Sequence, residues 1–161
     1  MFSRSSMRFA VTLTFVATPL PVAAQAASPA SDDRAAALVV VRRLFDGMRA
    51  GDSGAVRATF HPKALLWSAL VRNGAPEANP EPVDDFVRQV GTSHTEVWDE
   101  RTSNEIVHVD GPLAVVWADY AFYLGSRFSH CGVDTFQLGR TPAGWKIVAL
   151  ADTRRREGCK Q

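Results

Sequence analysis

A chain of 161 residues with 46% hydrophobic and 22% charged side chains is long enough for one domain with a real core and too apolar to be disordered. Its 18 basic and 17 acidic side chains nearly cancel, which removes any global electrostatic reason to bind nucleic acid. The one basic run, Arg154-Arg155-Arg156, is followed at once by Glu157, and no zinc-finger, helix-turn-helix or RNA-binding signature accompanies it.

Residues 1–26 carry Arg4 and Arg8, then an apolar run from Phe9 to Val16, and end in Ala24-Gln25-Ala26, which fits an A-x-A cleavage site. That is the layout of a secretory signal peptide. The run is too short to span a bilayer, and Pro19 and Pro21 break it, so no membrane anchor is expected after cleavage. Cleavage takes two of the 18 basic residues and no acid, leaving a mature net charge of −1. The expected location is periplasmic or secreted.

Residues 27–31 read as a flexible leader before a domain spanning 32–161. Ser31 or Asp32 can cap a first helix, in which Ala37, Val41, Leu44, Phe45 and Met48 recur at helical spacing. "AGD" at 50–52 ends it. Residues 53–60 form a second short helix, stopped by His61-Pro62. "ALLWSAL" at 64–70 is a strand, and "RNGAPEANPEP" a loop by composition. Pro82 opens a third helix that Gly91 closes, with Asp84 and Asp85 at its positive end.

The rest reads as four strands in an antiparallel meander. They are "RTSNEIVHVDG", "PLAVVWADYAFYLG", a strand from Ser126, and a last one after "RTPAGW". Helices on one face of a curled antiparallel sheet make an α+β fold: a cone-shaped sheet wrapped on N-terminal helices, with room for a small ligand inside.

Pairing the last two strands with Leu138 opposite Val148 puts Asp134 opposite Asp152 and His130 near Arg156. Facing carboxylates push one pKa upward, and a histidine can move protons near neutrality, so His61, His130, Asp134 and Asp152 are the candidate catalytic groups. The competing reading makes Asp152 a partner of Arg154 or Arg127 at the rim, and His61 a helix stop. Trp67, Trp117, Tyr120, Tyr123 and Phe136 are candidate ligand contacts, each equally able to be packing. The same hairpin returns the chain near Thr153 alongside Cys131. In an oxidising compartment Cys131 and Cys159 are then expected to form a disulfide. No phosphate loop, H-E-x-x-H, nucleophile elbow or zinc spacing is present, so no metal or cofactor is expected.

The helix pair ending in "FHPKALLW", the third helix after a loop, and the closing "GVDTFQLGRTPAGWKIVALADT" resemble the nuclear-transport-factor-2-like superfamily. The similarity covers roughly residues 33–157 and is greatest to the secreted SnoaL-like and "putative lumazine-binding" members. It implies a cystatin-like α+β barrel, often dimerised through its sheet. The superfamily holds steroid isomerases, dehydratases, polyketide cyclases and silent binding modules, so fold does not fix function. Three readings follow. The first is an exported domain that binds a small apolar or aromatic molecule in its cone. The second is a metal-free acid–base isomerase, dehydratase or cyclase, and the third a dimeric accessory interaction module. Dimerisation is expected through the outer sheet face, because the strand from Leu113 to Leu124 is apolar on both parities.

Overall fold

The computed structural model of the chain describes residues 29–159. The signal-peptide reading of residues 1–26 lies outside the described residues. Three helices and six strands follow in the order α1 (Pro29–Ala50), α2 (Ser53–Thr59), β1 (Phe60–Arg72), β2 (Ala75–Glu81), α3 (Val83–Val90), β3 (Trp98–Asp110), β4 (Leu113–Leu124), β5 (Arg127–Thr141) and β6 (Gly144–Arg154). None of the described helices is long and apolar enough to cross a membrane.

Helix α1 starts at Pro29, inside the stretch read as a leader, so Ser31 and Asp32 sit in its first turn rather than before it. Proline suits a first helical position, where an amide proton would go unpaired anyway. The apolar stripe read from spacing is the buried one: Ala37, Val41, Leu44, Phe45 and Met48 are all 6% exposed or less. Asp52 caps α2 by accepting from the Ala55 amide at 2.9 Å. At Gly47 a Cβ would stand 2.9 Å from Val56 Cγ2, so a glycine lets α1 and α2 close on each other.

The sheet is curved and unclosed, with strand order β2-β1-β6-β5-β4-β3. Four of its five ladders are antiparallel, but β1 runs parallel to β6, so it is mixed rather than wholly antiparallel. The "RNGAPEANPEP" loop is instead a turn and strand β2, which pairs with β1 from Arg72↔Ala75 to Leu66↔Glu81. Asn73 (φ 53°) and Gly74 (φ 80°) make the turn, and an Asn-Gly pair favours such a tight hairpin. Pro76 and Pro80 are tolerated because β2 is an edge strand.

The α1 stripe packs on the inner sheet face, where Val116, Phe136, Leu138 and Ile147 have no exposed surface. Phe45 meets Phe136 edge to face at 6.0 Å. Burying a side chain of this size contributes about 1.5–3 kcal/mol. Phe136 is therefore a core residue, walled off by α1. The β5–β6 register shifts at Gln137/Leu138, so Leu138 faces Ile147 and not Val148. A bulge turns the alternation over: Ile147 is buried where Val148 was expected.

Candidate functional site

Beyond the bulge the expected register holds, and Asp134 stands directly opposite Asp152. They are 3% and 9% exposed. Ala118, Asp134, Asp152 and Ser68 form one row across four strands. Ser68 Oγ donates to Asp152 Oδ1. Tyr120 O–H donates to the Thr153 carbonyl at 2.9 Å and lies 3.4 Å from Asp152 Oδ2. Arg154 Nη2 stands 3.5 Å from that same oxygen.

Gly132 makes this closure possible. A Cβ there would fall 1.7 Å from the Thr153 carbonyl oxygen and 2.6 Å from Tyr120 Cε1. With glycine, the Tyr120 ring lies over β5 and its hydroxyl reaches β6.

Glu100, on β3, completes the cluster, and the strand alternation conceals it. Thr102 pairs with Tyr120 and Val107 with Val116, so both face the interior although one is even and one odd. The reversal comes from a bulge between Ser103 and Ile106, where Asn104 takes a φ of 54°. Reading backward from Val107 and Val109 would send Glu100 outward. It pairs instead with Phe122 on the inner face.

Asp134 Oδ2 is buried with no donor facing it. Its acidic neighbour is Glu100. Burial raises both carboxyls, Glu100 to about 7 and Asp134 well above the usual range. Burial is the first cause for both, and the nearby Glu100 adds to the rise at Asp134. Burial, then the charges of Asp152, Glu100 and Asp134, push Tyr120 far up, so its hydroxyl stays a donor.

These groups line a cavity of about 70 Å³. Leu44, Phe45 and Met48 of α1, Phe86 of α3, and Leu66 and Leu150 of the sheet wall its apolar side. Glu81, at the end of β2, joins the polar side, and burial raises its carboxyl too. Among the described residues, no group of three or more His, Cys, Asp or Glu side chains is placed to hold a metal ion.

The other sequence candidates divide by face. Tyr120 points inward, while Trp67 and Trp117 lie on the outer face, 40% and 49% exposed. Tyr123 is also outside the cavity, between Arg101 (4.3 Å from its ring centre) and Phe128. None of these three can line the cone. His61 is the second residue of β1, where its Nδ1 accepts from the Lys63 amide at 3.1 Å, and it does not line the cavity. His130 stacks on Phe122 at 4.9 Å and lines a separate cleft that shares Arg154 with the cavity. Burial first, then the Arg154 charge, lowers it to about 4, so its ring is neutral at physiological pH. Asp152 meets both readings at once, pairing with Arg154 while lining the cavity. Sequence inspection missed Glu100, Ser68 and Glu81; Arg154 was read only as a rim partner of Asp152, and it lines the cavity as well.

Cys131 and Cys159 are joined, with Cα atoms 5.9 Å apart. Beside them, Cys131 and Arg155 exchange two backbone hydrogen bonds of 2.9 Å.

Comparison with known proteins agrees with this architecture. The sequence profile of the family described as "putative lumazine-binding" matches residues 32–151. No curated protein matches. A solved Shewanella baltica protein, nuclear-transport-factor-2-like and of unknown function, is 14% identical with a TM-score of 0.62, covering 81% of this chain and 100% of its own. One from Novosphingobium aromaticivorans with a cystatin-like fold is 15% identical at TM-score 0.63, covering 80% and 85%. A Streptomyces avermitilis structure titled a "putative dehydratase" is 17% identical at TM-score 0.59, covering 78% and 97%. Identities this low speak for the fold alone. The profile match and the unclosed, helix-covered sheet together show that the chain belongs to the family described as "putative lumazine-binding", within the nuclear-transport-factor-2-like superfamily.

Proposed function

We propose that this is an exported enzyme that moves protons on a small molecule, by isomerisation or dehydration, using its own carboxyls. The carrying observation is the cluster of Glu100, Asp134, Asp152 and Tyr120 gathered on one wall of a cavity, where burial raises the Glu100 and Asp134 carboxyls. A carboxylate with a pKa near 7 is poised to accept a proton at neutral pH, and a protonated acid beside it can return one. Tyr120 supplies a fixed hydroxyl where charge develops.

A purely apolar cone would have favoured binding without turnover; this one is apolar on one side and acidic on the other. The family description supports a small-molecule ligand, and the dehydratase title of one structural neighbour is chemistry of the same kind. The Cys131–Cys159 disulfide supports export to an oxidising compartment.

The test is proton exchange in D2O followed by NMR, on a panel of small ketones and 3-hydroxy acids. The wild type is expected to accelerate exchange or elimination on at least one, and Asp134→Asn to remove about 10²–10⁴ of that rate. A wild type no faster than buffer, or an Asp134→Asn variant as fast as wild type, overturns the reading.

A further inference from the structure

The cavity is too small to enclose its ligand. At about 70 Å³ it is under half the size of a cavity that just admits benzene, roughly 150 Å³. Ligand sites run to several hundred cubic ångströms. Whatever reacts at Glu100 and Asp134 must therefore leave most of its body outside.

A place for that body shares a lining residue, Arg154, with the cavity. A cleft of about 460 Å³ is lined by Leu70, Val71, Ser129, His130 and the three arginines 154–156. Arg154 lines both the cleft and the cavity.

The cleft is strongly cationic. Arg154 is the one arginine of the run with a carboxylate partner, Asp152 at 3.5 Å. Arg155 and Arg156 form no ion pair among the described residues. Arg154 and Arg156 line the cleft together with His130, whose protonation both charges oppose. The run is also anchored: Arg155 is hydrogen-bonded to Cys131 through both backbone groups, and the disulfide ties down the chain just beyond. Fixed guanidinium groups recognise carboxylates well because little side-chain order is lost per bond formed.

We propose that the ligand is a small molecule bearing a carboxylate, held in the cleft by Arg154 and Arg156, with its uncharged end entering the carboxyl-lined cavity. The charge order agrees with this. An anionic end is repelled by Glu100 and Asp152 and attracted by the arginines, so the molecule can bind in one direction only. Leu70 and Val71 give its body an apolar wall. The assignment of the inner end as the reacting end rests on the proposed acid–base function; the carboxylate site does not.

Benzoate and its neutral analogue benzamide are the probes, titrated by NMR with the His130 ring resonances as reporter. Benzoate is expected to bind and to shift those resonances, with affinity falling as salt is raised, and benzamide to bind at least tenfold more weakly. Arg154→Gln and Arg156→Gln should each weaken benzoate by about tenfold. Both sites are exposed, and circular dichroism confirms folding. Asp134→Asn should leave benzoate affinity unchanged even where it abolishes turnover. Equal binding of benzoate and benzamide, or wild-type benzoate affinity in both arginine variants, overturns the carboxylate site. Turnover that survives Asp134→Asn while benzoate binding stays arginine-dependent overturns the catalytic reading alone.

Discussion

Asp134 and Asp152 are direct cross-strand partners on β5 and β6, yet their surroundings differ. Asp152 accepts from Ser68 and pairs with Arg154, with the Tyr120 hydroxyl 3.4 Å away. Asp134 Oδ2 faces no donor, and burial beside Glu100 raises its carboxyl well above the usual range. Asp152→Asn should therefore cost about 1.5–3 kcal/mol at neutral pH, because it removes the charge that its partners use. Asp134→Asn removes a charge that burial already disfavours and should cost under about 1 kcal/mol. Urea unfolding of the two variants checks this, and the opposite order would overturn the expectation.

The pH dependence of stability should show two opposing windows. Glu100 is raised from 4.5 to about 7, so the folded state binds its proton more tightly than the unfolded chain does. Its contribution is fully present below about 4.5 and is lost as pH rises through 7. Asp134 acts in the same sense. His130 is lowered from 6.5 to about 4, so its contribution is present above 6.5 and is lost as pH falls through 4. Glu100→Gln should make stability rise more steeply with pH between 4.5 and 7 than in the wild type. His130→Gln should make the slope of stability against pH more negative than in the wild type between 4 and 6.5. Thermal melts across pH 4–8 read both slopes.

The disulfide closes a span of 28 residues, worth about 3–4 kcal/mol of loop entropy. Cys159→Ser leaves Cys131 as a small buried apolar group and should lose most of that stability. Denaturant titration with and without reductant measures it: the reductant should lower wild-type stability and leave the variant unchanged. Because the bond also anchors the arginine run, Cys159→Ser should weaken benzoate too.

Dimerisation is expected through the outer face of the sheet. Ile106, Trp117, Thr135, Ala151 and Trp67 form one row across five strands, with both tryptophans and Ile106 exposed around two small residues. Large exposed apolar patches mark contact surfaces. Light scattering should give a dimer for the cleaved protein and a monomer for Trp117→Lys. A monomeric wild type at micromolar concentration would remove the expectation.

The sequence by itself determined the elements with a long, single periodicity. Helix α1 was legible because its core residues recur at helical spacing with no break, and the β5–β6 hairpin because a glycine turn fixes a two-residue repeat. That hairpin sufficed to place Asp134 against Asp152 and to bring Cys131 near the tail. Edge strand β2 stayed hidden because its prolines look like loop punctuation, and only its place at the sheet edge makes them harmless. Tertiary structure alone decided the site. Bulges at Asn104 and near Val148 reverse the alternation, which sends Glu100 inward and Val148 out of its expected place. Whether Trp67, Trp117 and Tyr123 face ligand or solvent depends on which side the helices cover, and no strand pattern contains that information. The raised carboxyls of Glu100 and Asp134 arise from burial and from strands converging, so they are a property of the packed molecule and not of any segment.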